Sequence, residues 1–129
     1  MTFVSLGASG SITLSFPEPV GGSVVVFEGT NGGANSGWPL EQVNVEVSSD
    51  GTTWISVGTA SNKQGDDTGD GLDYRTVSTL EIPADLGCVE FVRLTDTSPV
   101  SSAKPDYFDV DAVGITGDVE CVVPPQECQ

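Results

Sequence analysis

The sequence predicts an all-β fold, an antiparallel β-sandwich or jelly roll of about eight strands. Three observations carry that prediction. Short runs of alternating apolar and polar residues recur along the chain, as half-buried strands require. Turn residues punctuate them at intervals of about eight to twelve residues, the spacing of sandwich strands. The composition supplies 16 Gly and 8 Pro among 129 residues, while charged residues make up only 18%, which suits strands and turns better than a helical bundle or a disordered chain. The length suits one domain with a single core. The sandwich is expected in residues 1–117. Residues 118–129 read as a C-terminal tail or linker, because the chain turns acidic and proline-bearing after Gly117.

Each element follows from its own residues. Residues 11–16, SITLSF, put Ile12, Leu14 and Phe16 on one face. Pro17-Glu18-Pro19 is expected to end that strand, and Gly21-Gly22 to turn the chain. The continuous run SVVVFE at 23–28 predicts a central strand buried on both faces. GTNGGANSG (29–37) is a loop by composition, closed by Trp38-Pro39. In QVNVEVS (42–48), Val43, Val45 and Val47 face inward; Ser49-Asp50-Gly51 is a hairpin signal, and the chain returns through TTWISVGTA with Trp54 expected in the core. SNKQGDDTGDGLD (61–73) is a long acidic loop. YRTVSTLEI (74–82) and CVEFVRLT (88–95) alternate again, the latter with Val89, Phe91 and either Val92 or Leu94 inside. A Ser/Pro-rich loop at 96–106 precedes the last strand, YFDVDAVGIT (107–116).

Charge removes several functions. The chain carries 19 acidic and 4 basic residues, no histidine, and a formal net charge of −15. Phosphate backbones and anionic membrane surfaces need basic stripes, so nucleic acid and an anionic bilayer are not expected partners. No run of about 18 apolar residues exists, so membrane insertion is not expected either. Without histidine there is no Ser-His-Asp triad, no Cys-His pair and no His-ligated zinc or copper. Paired carboxylates that could hydrolyse glycosides arise by chance in so acidic a domain, and no G-x-S-x-G or phosphate-cradling loop is present, so a non-catalytic protein is expected. A hard cation, calcium, suits oxygen-rich acidic sites. Most of the remaining charge reads as solvated surface.

The candidate ligands are carboxylates in apolar surroundings. Period two places Asp109 and Asp111 on one side of the last strand, where two like charges need a cation or backbone amides. Glu28 closes the apolar run SVVVFE. These three could converge on calcium, or lie on an exposed face and at a strand end. DDTGDGLD (66–73) matches part of a calcium loop at Asp66, Thr68, Asp70 and Gly71, but its twelfth position is Val77, which cannot ligate. Trp38 either stacks on a sugar ring or anchors its loop, and Tyr74 and Tyr107 pose the same alternative. Of the three cysteines, Cys121 and Cys128 enclose VVPPQE, whose prolines favour a turn; they are the first choice for a disulfide. Cys88 with Cys121 is the second. The acidity and the cysteines lean towards an extracellular setting.

Taken together, VEVSSDGTTWISVGTA (45–60), FVRLTD (91–96) and FDVDAVGI (108–115) resemble the discoidin-like, galactose-binding-domain-like jelly rolls. With GASGSITLSFPEPV (7–20) and VVVFEG (24–29), the resemblance extends over residues 3–116, towards modules of secreted and cell-surface proteins of bacteria and archaea. It implies an eight-stranded sandwich, often with a structural calcium, and a binding or adhesive role. In related calcium-dependent carbohydrate-binding modules an Asp of the final strand and a Glu of another strand hold the ion. Asp111 and Glu28 match those positions here, with Asp109 beside them. The expected partner is then a glycan or a surface protein, outside the cell or at its surface. Two alternatives remain: a subunit of a surface layer or filament, with Thr2–Leu6 or Val119–Val123 completing a neighbour's sheet as a homo-oligomer, and a polysaccharide hydrolase domain.

Overall fold

The computed structural model describes residues 4–29, 40–62, 66–67, 75–99, 108–117 and Cys121, and of Asp66, Asp67, Arg75, Thr76 and Asp111 the backbone alone. Nine strands and no helix make up the described chain: β1 (Val4–Ser5), β2 (Ser11–Val20), β3 (Ser23–Gly29), β4 (Gln42–Ser48), β5 (Ile55–Ser61), β6 (Asp66–Asp67), β7 (Arg75–Glu81), β8 (Val89–Asp96) and β9 (Asp109–Thr116). They form two antiparallel sheets, in the orders β1-β9-β3-β7-β6 and β2-β8-β4-β5. The pairs β1·β9, β2·β8, β3·β7 and β4·β5 are those of one long hairpin. The pairs β3·β9 and β4·β8 close that hairpin into a roll. The chain is an all-β sandwich with jelly-roll connectivity, as the strand pattern predicts.

The core lies between the sheets and is built mainly from valine. Val24 and Val26 of β3 face Val43, Val45 and Val47 of β4 and Val89, Val92 and Leu94 of β8, with Phe108 at one end. β-branched side chains suit this position, because they fill a pleated surface with little rotamer freedom to lose. The central strand β3 alternates: Val24 and Val26 are buried while Val25 and Phe27 are half-buried. That outer face is half-buried rather than buried, which corrects the expectation of burial on both faces.

Three departures from strict alternation have local causes. β2 runs through Pro17 and Pro19 to Val20, where an end was expected. It is an edge strand, so the missing N–H groups cost no ladder bond, and its register with β8 shifts between Ser15 and Val20. That shift inverts the phase of β8. Val89, Val92 and Leu94 are buried, and Phe91 turns to the outer face. There it meets Trp54 edge-on, with ring centroids 6.5 Å apart. Trp54 is therefore half-buried on the outside rather than in the core. The Arg93 guanidinium lies 4.2 Å from its ring centroid and bonds Glu46 through two nitrogens at 3.0 and 3.1 Å. An Arg held by a bidentate carboxylate makes a rigid lid for an aromatic face.

The β4–β5 turn is held by side chains. Asp50 Oδ1 accepts the amides of Thr52 and Thr53, each at 2.8 Å, and the Ser48 hydroxyl. Gly51 takes φ +80°, a conformation that costs other residues strain. The Thr53 amide first, then the Thr52 amide and the Ser48 hydroxyl, hold the exposed Asp50 carboxyl down to about 2 from its ordinary 3.8. A carboxyl depressed in the fold contributes stability in full above its unfolded value and loses it as pH falls through the folded one. The gap in urea midpoint between the natural chain and Asp50→Ala is therefore expected to be open at pH 7 and to close between about pH 4 and 2. A gap of equal width at both ends of that range would contradict this account of the turn.

A single disulfide is described, Cys88–Cys121, with Cα atoms 5.7 Å apart. It ties Cys121 to the residue preceding β8, so Cys121 is not available to Cys128, which lies outside the described residues. The prolines of 122–127 made a local pair attractive. Folding instead brings the end of β9 close to the start of β8, although the two cysteines are 33 residues apart in sequence.

Candidate functional site

Most strand ends meet at one end of the sandwich. β3, β5 and β8 finish there, and β2, β4, β7 and β9 begin there, beside β1 and β6. Hydrogen bonds lock this end. Asp96, the last residue of β8, accepts the Phe108 amide at 2.9 Å and the Ser98 amide at 2.8 Å, while its own amide donates to Gly10 O. The Leu6 amide donates to Phe108 O. The Asn62 amide donates to Glu41 O, and the Glu41 amide to Asn62 Oδ1 at 3.0 Å. Ser78 joins β7 to β5 through the backbone of Ser61.

The same end gathers acid. Glu28 (1% exposed), Glu41 (1%), Asp96 (4%) and Asp109 (6%) are all buried. They account for every buried carboxylate among the described residues. Glu28 Oε1, Glu41 Oε2 and Asp109 Oδ1 are sealed from solvent. Burying a carboxylate is costly unless its surroundings compensate, so four of them at one end mark the most specialised region of the fold.

The ladder places the expected ligands. Glu28 is opposite Val110, the residue between Asp109 and Asp111. On its other side Glu28 is opposite Thr76, which pairs with Asp67 of β6. The acidic segment 61–73 therefore contributes a two-residue edge strand at the level of Glu28. Phe27 pairs with Ala112 and Glu28 with Val110, so Asp111 is an extra residue, a β-bulge. The period-two argument for Asp109 and Asp111 assumes an unbroken ladder, and the ladder shifts at Asp111, whose side chain lies outside the description. Phe108, Asp109 and Val110 are buried in succession and the regular ladder breaks at Asp111. The structure does bring Glu28 and the Asp109–Asp111 segment to neighbouring positions on adjacent strands. Among the described residues, no three His, Cys, Asp or Glu side chains lie close enough to share a metal ion.

Trp38, Tyr74 and Tyr107 lie outside the described residues, as do Thr68, Asp70 and Gly71 of the partial calcium loop. In sequence Tyr74 directly precedes β7, Tyr107 directly precedes Phe108, and Trp38 stands two residues before Leu40. All three belong to connections that return to the acidic end.

Glu41 and Asp96 were not among the expected site residues, yet a signal for both exists. Glu41 is in phase with Val43, Val45 and Val47, and Asp96 with Val92 and Leu94. A carboxylate in phase with a buried row, one step beyond it, is the pattern that also singles out Glu28 after Val24 and Val26.

The opposite end is different. A cleft of about 590 Å³ there is lined by Ser23, Ile82, Pro83 and Thr116 among others, with Glu81 its one carboxylate. Gly22, at φ +123°, approaches the chain after β9 so closely that a Cβ would strike the Thr116 carbonyl. Among the described residues no helix is long and apolar enough to cross a membrane. Comparison with known protein families finds none that matches the chain, and comparison with curated proteins finds no match.

Proposed function

We propose that the chain is a non-catalytic module, extracellular or at the cell surface, that holds calcium at its acidic end and serves adhesion or carbohydrate recognition. One observation carries this reading: the buried carboxylates Glu28, Glu41, Asp96 and Asp109 gather at the end of the sandwich where the longest connections return. Calcium takes six to eight oxygen ligands from carboxylates, backbone carbonyls and water. The donor chemistry fits, since Glu28 and Asp109 are hard oxygen donors on adjacent strands. The bulge at Asp111 also interrupts the regular ladder beside Glu28. Bound there, calcium would supply charge neutralisation and a fixed shape to the connections around it.

Loops on a rigid β-scaffold are where recognition residues usually lie. Trp38, Tyr74 and Tyr107 are the aromatic candidates for stacking on a sugar ring. The disulfide favours an oxidising exterior. The net charge of −15 favours solubility there and disfavours polyanionic partners.

Thermal melting tests the reading. A ligand at a hundredfold excess over Kd adds about 2.7 kcal/mol, which for a chain of this length raises Tm by roughly 8–15 °C. Calcium is expected to raise Tm, chelator to reverse the shift, and Asp109→Asn or Asp111→Asn to abolish it. A melting point indifferent to calcium, or a shift retained in both variants, would remove the calcium part. Recognition is read separately on a glycan panel, with binding expected to depend on Trp38, Tyr74 or Tyr107.

A further inference from the structure

The outer face of the β2-β8-β4-β5 sheet sets hydrogen-bonding side chains in register. Ser11 of β2, Thr95 of β8, Asn44 of β4 and Thr59 of β5 stand opposite one another across all four strands. The next row is Thr13, Arg93, Glu46 and Ser56. Asn44 and Glu46 alternate with the buried Val43, Val45 and Val47, and Arg93 and Thr95 with the buried Val92 and Leu94. Both rows therefore point away from the core. Ser11 and Thr13 at one margin, and Ser56 and Thr59 at the other, are exposed. Four strands make a face roughly 14 Å across.

The middle of this face is rigid, yet part of its hydrogen-bonding capacity is unused. Arg93 gives Nε and Nη2 to Glu46 and lies over the Trp54 ring, which Phe91 braces edge-on. Asn44 Oδ1 accepts the Ser56 hydroxyl at 2.7 Å. Arg93 Nη1, Asn44 Nδ2 and the Trp54 indole N–H have no hydrogen-bond partner among the described residues, and none of the three is sealed from solvent. Donors held in place in this way lose little freedom when a ligand arrives. The hydroxyls beside them both donate and accept.

Charge and composition select the ligand. The chain carries −15, but in these two rows the charged residues are Arg93 and Glu46, which neutralise each other at 3.0 Å. A cationic ligand finds no unpaired acid in the rows, and an anionic one meets the field of the whole molecule. Serine is depleted in protein–protein interfaces, where aromatic anchors are enriched; here hydroxyls and amides predominate. A neutral chain dense in hydroxyls matches both the donors and the lack of net charge.

We infer that this face is a platform for an uncharged polysaccharide laid across the strands along the two rows. The inference rests on the carbohydrate part of the function proposed above, and it places the contact on the sheet instead of on the aromatic loops. It needs no calcium, because every residue it uses lies outside the group of buried carboxylates.

The isotope-labelled full chain is titrated by NMR with cellohexaose, xylohexaose, mannohexaose and laminarihexaose, and with hexagalacturonate as the charged counterpart. At least one neutral hexasaccharide is expected to bind, with shifts at the amides of Asn44, Ser56, Arg93 and Thr95 and at the Trp54 indole N–H, unchanged by chelator. Hexagalacturonate should bind more weakly. Trp54→Phe, which keeps the ring packing and removes the indole N–H, and the hydroxyl deletions Thr59→Ala and Thr95→Ala should each weaken binding about threefold. Melting confirms that the three variants are folded. Shifts confined to the connections bearing Trp38, Tyr74 and Tyr107, or affinities unchanged in all three variants, would overturn the platform and leave carbohydrate recognition standing. Equal binding of hexagalacturonate would overturn the selection of an uncharged ligand. No binding of any neutral hexasaccharide would overturn the platform and the carbohydrate reading together.

Discussion

Phe108→Ala is expected to lower stability by about 3–5 kcal/mol, among the largest effects of any single substitution in the chain. Phe108 is 1% exposed and is the largest of the fully buried side chains among the described residues. The core cluster it belongs to is mostly valine, and short β-branched chains on a fixed sheet cannot swing in to fill the space it would vacate. Its backbone also joins three segments: the amide donates to Asp96 at the end of β8, and the carbonyl accepts from Leu6 after β1. A cavity there loosens the acidic end as well as the core. Phe108→Leu should cost much less, and Phe91→Ala on the outer face less again. Urea unfolding at neutral pH separates the three. Equal losses for Phe108→Ala and Phe91→Ala would mean that the core has been placed on the wrong face of β8.

Removing the disulfide is expected to cost about 4 kcal/mol by the loop-closure entropy of the unfolded chain, or roughly 12–20 °C in Tm. The estimate rests on the 33-residue separation of Cys88 and Cys121. A local pair of Cys121 with Cys128 would close a far shorter loop and constrain the unfolded chain less. Cys88→Ser and Cys121→Ser should melt alike, and Cys128→Ser should melt like the natural chain. Melting of Cys88→Ser at the unchanged temperature, with loss on Cys128→Ser instead, would transfer the bridge to the tail pair.

The strands were legible because apolar residues alternate with polar ones in β2 and β4 and run continuously in β3. What period two cannot show is a register shift. One shift lets β2 pass through two prolines and turns Phe91 and Trp54 outward; another makes Asp111 a bulge in β9. The disulfide was hidden for a different reason: sequence shows which cysteines are near along the chain, and only the roll brings Cys88 to Cys121. At the acidic end Glu28 and Asp109 were legible as carboxylates against apolar runs. Glu41 and Asp96 were missed because each sits just beyond the alternating run whose phase it shares, where a charged residue looks like the start of a loop.

A crystal structure grown in calcium chloride should show an ion at the acidic end with carboxylate oxygens of Glu28 and of Asp109 or Asp111 at about 2.3–2.6 Å. An ion held only by the 66–73 segment, or none at that end in crystals saturated with calcium, would contradict it.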